Sequence, residues 1–362
     1  MKAAVFDRYG PPGVVHLGDV VRPVPRNNEV LIRVRAASVN PLDCITQGKP
    51  YSLRLMTGLR RPRNTRLGVD VAGQVEAAGR DVTRFTPGDQ VFGLCLRDPL
   101  ARGAAAWLHC QGAFAEYACL PERAPAAMPG NITPGQAAAV PVAALTALQG
   151  LRDKGKIRPG HQVLINGAAG GVGTFAVQIA KSFGAEVTGV CSTRNAGLVR
   201  SLGADRVLDY TREDFTARGE RYDVFFDLAG NHPLTACSRV VKPDGIYVGA
   251  GGPGSRWLLG LIARPAAMLL SSISCGMKLP MENPRMSVWP KPMAVMKAIA
   301  SCAICSIVCV VAPVEPPTPA LSKVMTRRFV ARASISAGSQ LSRLPRKCWS
   351  RTSGTSLSPV SR

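Results

Sequence analysis

The feature that most constrains this chain is an apolar run that ends in a cluster of glycines. Residues 163–173 read Val-Leu-Ile-Asn-Gly-Ala-Ala-Gly-Gly-Val-Gly and lead into the stretch 174–183. This pattern predicts a short buried strand, a tight turn and a helix. Glycine lets the backbone approach an anion, and the first N–H groups of a helix point out of its end, so such a turn is typical of a pyrophosphate site. We therefore predict that the chain binds a dinucleotide.

The sequence after the next apolar run indicates which dinucleotide is bound. The run 187–191 is followed by Ser192, Thr193 and Arg194. Proteins that bind NAD usually place an acidic residue here, which holds the 2′-hydroxyl of the ribose. Two hydroxyls and a guanidinium suit a 2′-phosphate instead. The segment therefore favours NADPH over NADH as the cofactor, and the alternative is a surface turn with a solvated arginine.

The charge of the chain is unevenly distributed. Its 362 residues are enough for two domains, and its formal net charge is +22. Residues 285–362 hold twelve Lys or Arg and one acidic residue, which is half of that net charge. A strongly basic chain can bind nucleic acid, but the sequence contains no helix-turn-helix, zinc finger or interleaving of aromatic and basic residues. We expect no specific nucleic-acid partner.

Three further features predict a cytoplasmic protein with no membrane span. The most apolar long stretch, 298–314, is short for a transmembrane helix and contains Pro313. The first six residues resemble a strand rather than a secretory signal. Eleven cysteines are an odd number, and reduced thiols are the default where no such signal is present.

Two patterns of secondary structure divide the chain into domains at 1–125 and 126–265. The first part alternates apolar and polar residues in runs such as 29–36, which predicts a small, bent antiparallel barrel. The second part alternates strands and helices, which indicates a parallel, doubly wound sheet. A continuous helix is expected at 133–151. The sheet strands are expected at 163–166, 187–191, 206–209, 222–227 and 245–249. The tail 337–362 has no apolar period and is expected to be disordered.

Several motifs occur in a fixed order over residues 1 to about 255. They are 1–5 (Met-Lys-Ala-Ala-Val), 37–43 (Ala-Ser-Val-Asn-Pro-Leu-Asp), 68–73 (Gly-Val-Asp-Val-Ala-Gly), 87–93 (Pro-Gly-Asp-Gln-Val-Phe-Gly), 112–117 (Gly-Ala-Phe-Ala-Glu-Tyr), 144–147 (Ala-Leu-Thr-Ala) and the glycine turn. In these motifs the chain resembles the medium-chain dehydrogenase/reductase superfamily, in its zinc-independent, quinone-oxidoreductase-like branch. The resemblance implies an α/β protein with a GroES-like β-barrel domain, to which part of 266–336 returns, and a Rossmann domain. NADPH is expected in the cleft between the two domains.

The resemblance also implies roles for single residues. It assigns Ala169, Gly170, Gly171, Val172 and Gly173 to the pyrophosphate, Ser192, Thr193 and Arg194 to the 2′-phosphate, Tyr210 to the adenosine end, and Asn40 and Thr146 to the nicotinamide. Three of these residues have a structural alternative. In these alternatives, the ring of Tyr210 packs on the face of the sheet, and the hydroxyl of Thr146 bonds the backbone of its own helix. For Asn40, the alternative is a turn-forming role before Pro41.

The activity that the resemblance implies is hydride transfer from NADPH to a small quinone, enone or reactive carbonyl. The candidate catalytic residues are Asn40 and Tyr51. Asn40 orients the nicotinamide ribose or polarises the oxygen of the acceptor, and Tyr51 lines the acceptor site or supplies a proton. The alternative for Tyr51 is a lid residue without a chemical role. Relatives are often dimers, so a homodimer is a further expectation.

The sequence predicts no metal site. Zinc-dependent members of the superfamily carry Gly-His-Glu where this chain has Gly68-Val69-Asp70, so the histidine ligand is missing, and Cys44 has no imidazole partner. The spacing of the other cysteines does not fit a four-cysteine zinc lobe. Cys302, Cys305 and Cys309 lie in an apolar run without a fourth ligand nearby, so buried thiols are expected there.

The sequence departs from the superfamily after about residue 275. Acidic residues nearly vanish, and Ala331-Arg332-Ala333-Ser334-Ile335 stands where relatives have their final strand. We hypothesise that this segment is degraded or partly out of frame. It supports a rival interpretation, in which the chain binds NADPH without turnover.

Overall fold

The computed structural model describes residues 1–41, 43, 54, 58–95 and 112–250. Several sequence predictions fall outside these residues. They concern Tyr51, Cys44, the returning segment 266–336 and the tail 337–362. Within the described part, an antiparallel sheet comes first in the chain, and a parallel sheet flanked by helices follows it.

The first part of the chain is antiparallel. β1 (Lys2–Val5) pairs with β2 (His16–Asp19), and a separate five-stranded sheet has the order β6-β3-β4-β5-β7. Its strands are β3 (Glu29–Ser38), β4 (Asp70–Ala78), β5 (Gln90–Leu94), β6 (Tyr117–Pro121) and β7 (Pro125–Ala127). β3 and β4 shift register at two places, between Leu31 and Ile32 and between Val34 and Ala36. Such irregularities bend a sheet, and they are consistent with the bent barrel that the sequence predicts.

The second sheet is parallel throughout and has the order β10-β9-β8-β11-β12. Its strands are β8 (Gln162–Asn166), β9 (Glu186–Cys191), β10 (Arg206–Asp209), β11 (Tyr222–Asp227) and β12 (Val241–Gly249). The central strands β8 and β11 are apolar on both faces. Val163 and Ile165 pack into one core cluster, and Leu164 packs into another. This explains why these strands read as continuous apolar runs in the sequence.

The strand predictions agree with the structure, except that β12 begins four residues before its predicted start. The predicted helix at 133–151 is divided. α1 (Pro134–Ala138) ends before α2 (Pro141–Leu148), and a π-helical turn, Gln149–Lys154, follows. Pro141 has no N–H to donate to the preceding turn, so it begins a new helix. The other helices are α3 (Gly171–Ser182), α4 (Ala196–Ser201) and α5 (Leu234–Arg239).

The change from one sheet to the other lies between β7 and α1. The predicted domain limit at 125/126 falls inside β7, whose residues Ala126 and Ala127 pair with Phe92 and Val91 of β5. The two parts share a core, because Ala36 and Ala72 of the antiparallel sheet belong to the same buried cluster as the residues of α2 and α3. No helix in the described part of the chain is both long and apolar enough to cross a membrane.

Candidate active site

The glycine turn lies at the carboxyl edge of the parallel sheet, between β8 and α3. Gly167 has a φ of +90°, a conformation that glycine adopts without strain. The backbone N–H groups of Gly167 and Ala168 donate to Val190 O of β9, at 3.2 and 3.0 Å. These bonds fix the turn beside the end of β9, where Ser192, Thr193 and Arg194 follow. In parallel α/β sheets this edge is where nucleotides bind.

The start of α3 fits a phosphate. Gly170 is the N-cap of the helix, and no side chain caps it. A Cβ added at Gly171 would meet no atom within 4 Å, so the space in front of the first turn is open. At Gly173 a Cβ would lie 2.1 Å from Gly167 O, so this glycine allows the helix to pack closely on the turn. The five residues assigned to the pyrophosphate therefore combine open backbone with close helix packing, which is the division of roles a dinucleotide turn requires.

The three residues assigned to the 2′-phosphate follow β9 and have different surroundings. Thr193 Oγ1 donates to Asp209 Oδ2 at the end of β10 and lies 3.2 Å from Thr211 Oγ1. Ser192 Oγ accepts from Asn195 Nδ2 at 3.4 Å. Arg194 is exposed and, among the described residues, has no ion-pair partner. Arg194 is thus a cation at this edge that no carboxylate of the described residues neutralises.

Tyr210 lies beside these residues, directly after β10. Its backbone N–H donates to Cys191 O at 3.1 Å, and the residue is 52% exposed. An exposed ring of this kind does not support the alternative, in which Tyr210 packs on the face of the sheet. The ring is accessible to a ligand at the carboxyl edge.

Two polar side chains at this edge were not assigned from the sequence. Asn166 ends β8 and donates to Asp227 Oδ1, at the end of β11, and to Asn231 Oδ1, both at 2.9 Å. Asp227 also accepts from Tyr247 Oη at 2.8 Å and from the backbone of Gly230 at 2.8 Å. This network fixes the ends of the two central strands. Its signal in the sequence is a polar residue directly after each apolar run, Val-Leu-Ile-Asn and Val-Phe-Phe-Asp.

Of the two residues that the resemblance assigns to the nicotinamide, Asn40 follows the antiparallel strand β3 and Thr146 lies in α2. Ser38 ends β3 and is the cross-strand partner of Asp70, the first residue of β4. Asn40 follows two residues later, and its Nδ2 lies 3.0 Å from Asp70 Oδ2 and 3.1 Å from Ser38 Oγ. Ser38 Oγ donates to the same carboxylate oxygen at 2.7 Å. Asn40 therefore does more than form a turn, because its side chain is held by a buried polar cluster.

Asp70 joins this cluster to the helical part of the chain. Its Oδ1 accepts from the backbone N–H of Val142 at 3.1 Å. Val142 lies in the first turn of α2, where no side chain from the helix itself provides a cap. A carboxylate at this place satisfies an orphan N–H group and interacts favourably with the helix dipole. Sequence reasoning placed Asp70 only in the motif 68–73 and missed this role, because the partners lie 32 and 72 positions away.

Thr146 lies one turn further along α2. Its Oγ1 donates to Val142 O at 2.7 Å, which is the alternative that the sequence left open. The donated hydrogen leaves the lone pairs of the hydroxyl as acceptors. α2 packs against α3, so the helix that carries Thr146 is in contact with the helix that begins at the glycine turn.

Burial raises the pKa of two carboxyl groups in this cluster. The pKa of Asp70 rises to about 7, chiefly because the group is removed from water, although the hydrogen bonds from Ser38, Asn40 and Val142 oppose the rise. The pKa of Asp43 rises to about 6 for the same reason, against the N–H groups of Asn40 and Gly68. Asp43 Oδ2 accepts from Asn40 N at 2.7 Å. One carboxyl thus holds the backbone of Asn40, and the other holds its side chain.

The described residues do not fit a zinc site. Asp70, which stands in place of the glutamate of Gly-His-Glu, accepts hydrogen bonds at both oxygens from protein donors rather than offering them to a cation. Among the residues that the structure describes, no group of three or more His, Cys, Asp or Glu is arranged to hold a metal ion. Cys95 and Cys119 are both buried.

Two family models match the chain in the regions of the two sheets. The alcohol dehydrogenase GroES-like domain matches residues 26–130, and the zinc-binding dehydrogenase model matches residues 171–268. The antiparallel sheet and the turn-bearing parallel sheet lie largely within these matches.

Similar proteins are oxidoreductases by name. The chain is 35% identical to a 2-methylene-furan-3-one reductase of Solanum lycopersicum, over 72% of this chain and 65% of the relative. It is 34% identical to a chloroplastic NADPH-dependent alkenal/one oxidoreductase of Arabidopsis thaliana, over 79% of this chain and 72% of the relative. The match thus spans less than two thirds of the length of the Solanum protein.

A similar solved structure is a quinone oxidoreductase from Coxiella burnetii. It is 28% identical, with a TM-score of 0.60, and the match covers 77% of this chain and 97% of that chain. The chain belongs to the medium-chain dehydrogenase/reductase superfamily, in its quinone-oxidoreductase-like branch, with a GroES-like domain and a Rossmann domain.

Proposed function

We propose that the protein transfers hydride from NADPH to a quinone, an enone or a reactive carbonyl, without zinc. The observation that carries this proposal is the carboxyl edge of the parallel sheet. There, an uncapped helix start lies beside a segment that carries the exposed Arg194. The relatives include a 2-methylene-furan-3-one reductase and an alkenal/one oxidoreductase, and these names support the choice of acceptor.

The chain's own residues bind and orient the two reactants. The amides from Ala169 to Gly173 receive the pyrophosphate, Ser192 to Arg194 receive the 2′-phosphate, and Tyr210 lies against the adenosine. Asn40 and Thr146 frame the nicotinamide, whose bound dihydro form supplies the hydride. Orientation of the two reactants and exclusion of water provide the rate enhancement. Tyr51 is proposed to line the acceptor site or to protonate the reduced acceptor.

The experiment is an acceptor screen on the full-length protein. NADPH and NADH are each offered with quinones, enones and small aldehydes, and both coenzyme oxidation and the reduced product are measured. We expect NADPH to be oxidised with at least one quinone or enone, and to be preferred over NADH. Tyr51→Phe then tests the hydroxyl, because loss of turnover with retained coenzyme binding shows that the hydroxyl acts on the acceptor.

Two outcomes contradict the proposal in different ways. NADPH binding without oxidation across the screen favours the rival function, a binding protein without turnover. Absence of NADPH binding refutes both functions. The same screen on a protein whose segment after residue 275 is replaced by a relative's ending shows whether that segment limits activity.

Further proposals concern organisation and location. We propose a GroES-like domain at 1–125, to which part of 266–336 returns, and a Rossmann domain at 126–265. In the structure the antiparallel strands continue to the end of β7, and α1 follows. A homodimer is proposed on the resemblance alone, and sedimentation of the purified protein tests it. Location in the cytoplasm also remains a proposal, and fractionation of cells tests it.

A further inference from the structure

We infer that Asp70 is a positioning residue, which turns the carboxamide of Asn40 so that its oxygen, and not its nitrogen, is presented to the nicotinamide end of the bound coenzyme. The inference rests on the proposed function, because it assumes that Asn40 lies beside the nicotinamide. The inference adds Asp70 to the candidate site. It also states which atom of the Asn40 amide faces the coenzyme.

The hydrogen bonds of Asn40 all lie on one side of its amide. Nδ2 lies 3.0 Å from Asp70 Oδ2, 3.1 Å from Ser38 Oγ and 3.4 Å from Ser38 O. Oδ1 has no hydrogen-bond partner among the residues that the structure describes. The nitrogen therefore faces inward to three oxygens, and the oxygen is the atom that a ligand can reach.

The charge of Asp70 decides this orientation. An ionised carboxylate only accepts hydrogen bonds, so it admits the NH₂ group of Asn40 and repels its oxygen. Asp70 is completely buried, so water cannot replace either partner. The carboxylate is fixed in turn by Ser38 Oγ on one oxygen and by the N–H of Val142 on the other. A flipped Asn40 would bring two acceptors together in a dry place, which is strongly unfavourable.

The orientation selects one of the two roles proposed for Asn40. An acceptor atom suits a ribose hydroxyl or the N–H of the nicotinamide carboxamide. Polarising the oxygen of a quinone or enone requires a donor, and the NH₂ group of Asn40 is directed to Asp70 and Ser38. Asn40 therefore holds the coenzyme and does not activate the acceptor. Because Asp70 also accepts from α2, the same carboxylate sets Asn40 relative to the helix that carries Thr146.

The test replaces the carboxylate by its isosteric amide. In Asp70→Asn, one oxygen becomes a donor, so either the amide of Asn40 or the N–H of Val142 loses its acceptor, and in both cases the link between Asn40 and α2 is broken. We expect kcat to fall by about 10- to 100-fold, because the nicotinamide is misplaced. We expect the Kd for NADPH to change by less than about 3-fold, because the pyrophosphate and the 2′-phosphate dominate binding. Asn40→Ala has the same pattern, and the two changes together are no worse than either alone.

An exchange of the two side chains sharpens the test. Asn40→Asp alone places two carboxylates in contact and is more damaging than either change above. Combined with Asp70→Asn it restores a donor and acceptor pair, and an oxygen again faces the coenzyme. We expect the exchanged variant to recover kcat by about 10-fold over Asn40→Asp alone. The control is Asp223→Asn, which alters a carboxylate at the opposite edge of the sheet, bonded to Gln162 N and Lys242 Nζ, and leaves kcat unchanged.

The outcomes separate this inference from the proposed function. Fluorescence of bound NADPH reports the surroundings of the nicotinamide without turnover, and we expect Asp70→Asn to lower its enhancement while the Kd stays nearly constant. If the protein binds NADPH but never oxidises it, the enzyme proposal fails and the fluorescence still decides the inference. Unchanged kcat and fluorescence in Asp70→Asn overturn the inference alone, as do fully multiplicative effects in the double variant. A chain that binds no NADPH overturns both.

Discussion

The two sides of the candidate site are built by different means. At the carboxyl edge of the parallel sheet, the groups are backbone amides, an open helix start and the exposed Arg194. Beside the antiparallel sheet, they are buried side chains that hold one another, with Asp70 in contact with Ser38, Asn40 and Val142. The carboxyl edge of the parallel sheet is formed by local backbone conformation. The cluster around Asp70 depends on contacts between distant parts of the chain. The two sides should therefore respond differently to mutation, to salt and to pH.

The largest loss of stability and of NADPH binding is expected at Gly173, where α3 packs closely on the glycine turn. In Gly173→Ala the new Cβ would lie 2.1 Å from Gly167 O, and this atom belongs to the turn itself and cannot move aside. We expect a loss of about 3 kcal/mol in the free energy of unfolding, together with loss of NADPH binding. Thermal unfolding and a fluorescence titration measure the two quantities.

The matched control is Gly171→Ala, two residues earlier in the same turn of helix. Its Cβ would meet no atom within 4 Å, so the fold should be unchanged within about 0.5 kcal/mol. Equal losses of stability in the two variants would show that the close approach of Gly173 to Gly167 O does not cause the loss.

The same difference explains which features could be predicted from the sequence and which could not. The strands at 163–166 and 222–227 were found because an apolar run is a local signal, and their observed ends differ by at most one residue. The glycine turn was found for the same reason. The buried role of Asp70 was missed, because its acceptor pattern appears only when β3, β4 and α2 meet. The helix break at Pro141 was a local signal that the Ala- and Leu-rich composition outweighed.

The next prediction concerns the positive charge of Arg194 at the carboxyl edge of the parallel sheet. We expect Arg194→Ala to weaken NADPH binding by about 10- to 100-fold, because a charge-assisted hydrogen bond to the 2′-phosphate is lost. NADH, which lacks that phosphate, should be affected by less than about 2-fold. Titrations at low and high salt measure the change, and the loss should be smaller at high salt.

Arg221→Ala is the control for charge alone. Arg221 directly precedes β11, so it lies at the opposite edge of the same sheet. Its removal changes the net charge equally and should leave the preference between NADPH and NADH intact. If NADH and NADPH weaken alike in Arg194→Ala, the 2′-phosphate is bound elsewhere.

The cluster around Asp70 is expected to respond to pH through its buried carboxyl groups. The raised pKa of Asp70, about 7, means that the carboxylate gains a proton as the pH falls below 7. A protonated Asp70 donates where it must accept, so kcat should fall with a midpoint near pH 7. Asp43, with a pKa of about 6, is the other carboxyl group near Asp70 and should extend the fall to lower pH.

The stability of the fold should change in the opposite direction over the same range. The folded pKa of Asp70 lies above its unfolded value, so the cost of burying its charge is complete above pH 7 and is relieved as the pH falls toward 4. Denaturant unfolding between pH 5 and 8 measures this contribution, and Asp70→Asn should remove it together with the midpoint in kcat. A parallel loss of kcat and stability would instead indicate partial acid unfolding.

The smallest effect concerns the carboxylate closest to the 2′-phosphate residues. Asp209 accepts from Thr193, and its Oδ2 lies 3.7 Å from Arg212 Nε, so it places a negative charge beside a residue that is proposed to bind the 2′-phosphate. Asp209→Asn keeps an acceptor for Thr193 and removes the charge. The ratio of the Kd for NADH to the Kd for NADPH should therefore rise by about 2- to 3-fold, since exposed charges interact weakly. Asp205→Asn, just before the other end of the same strand, should leave the ratio unchanged. A lower ratio in Asp209→Asn would show that the carboxylate helps bind NADPH through Thr193 and Arg212 rather than opposing it.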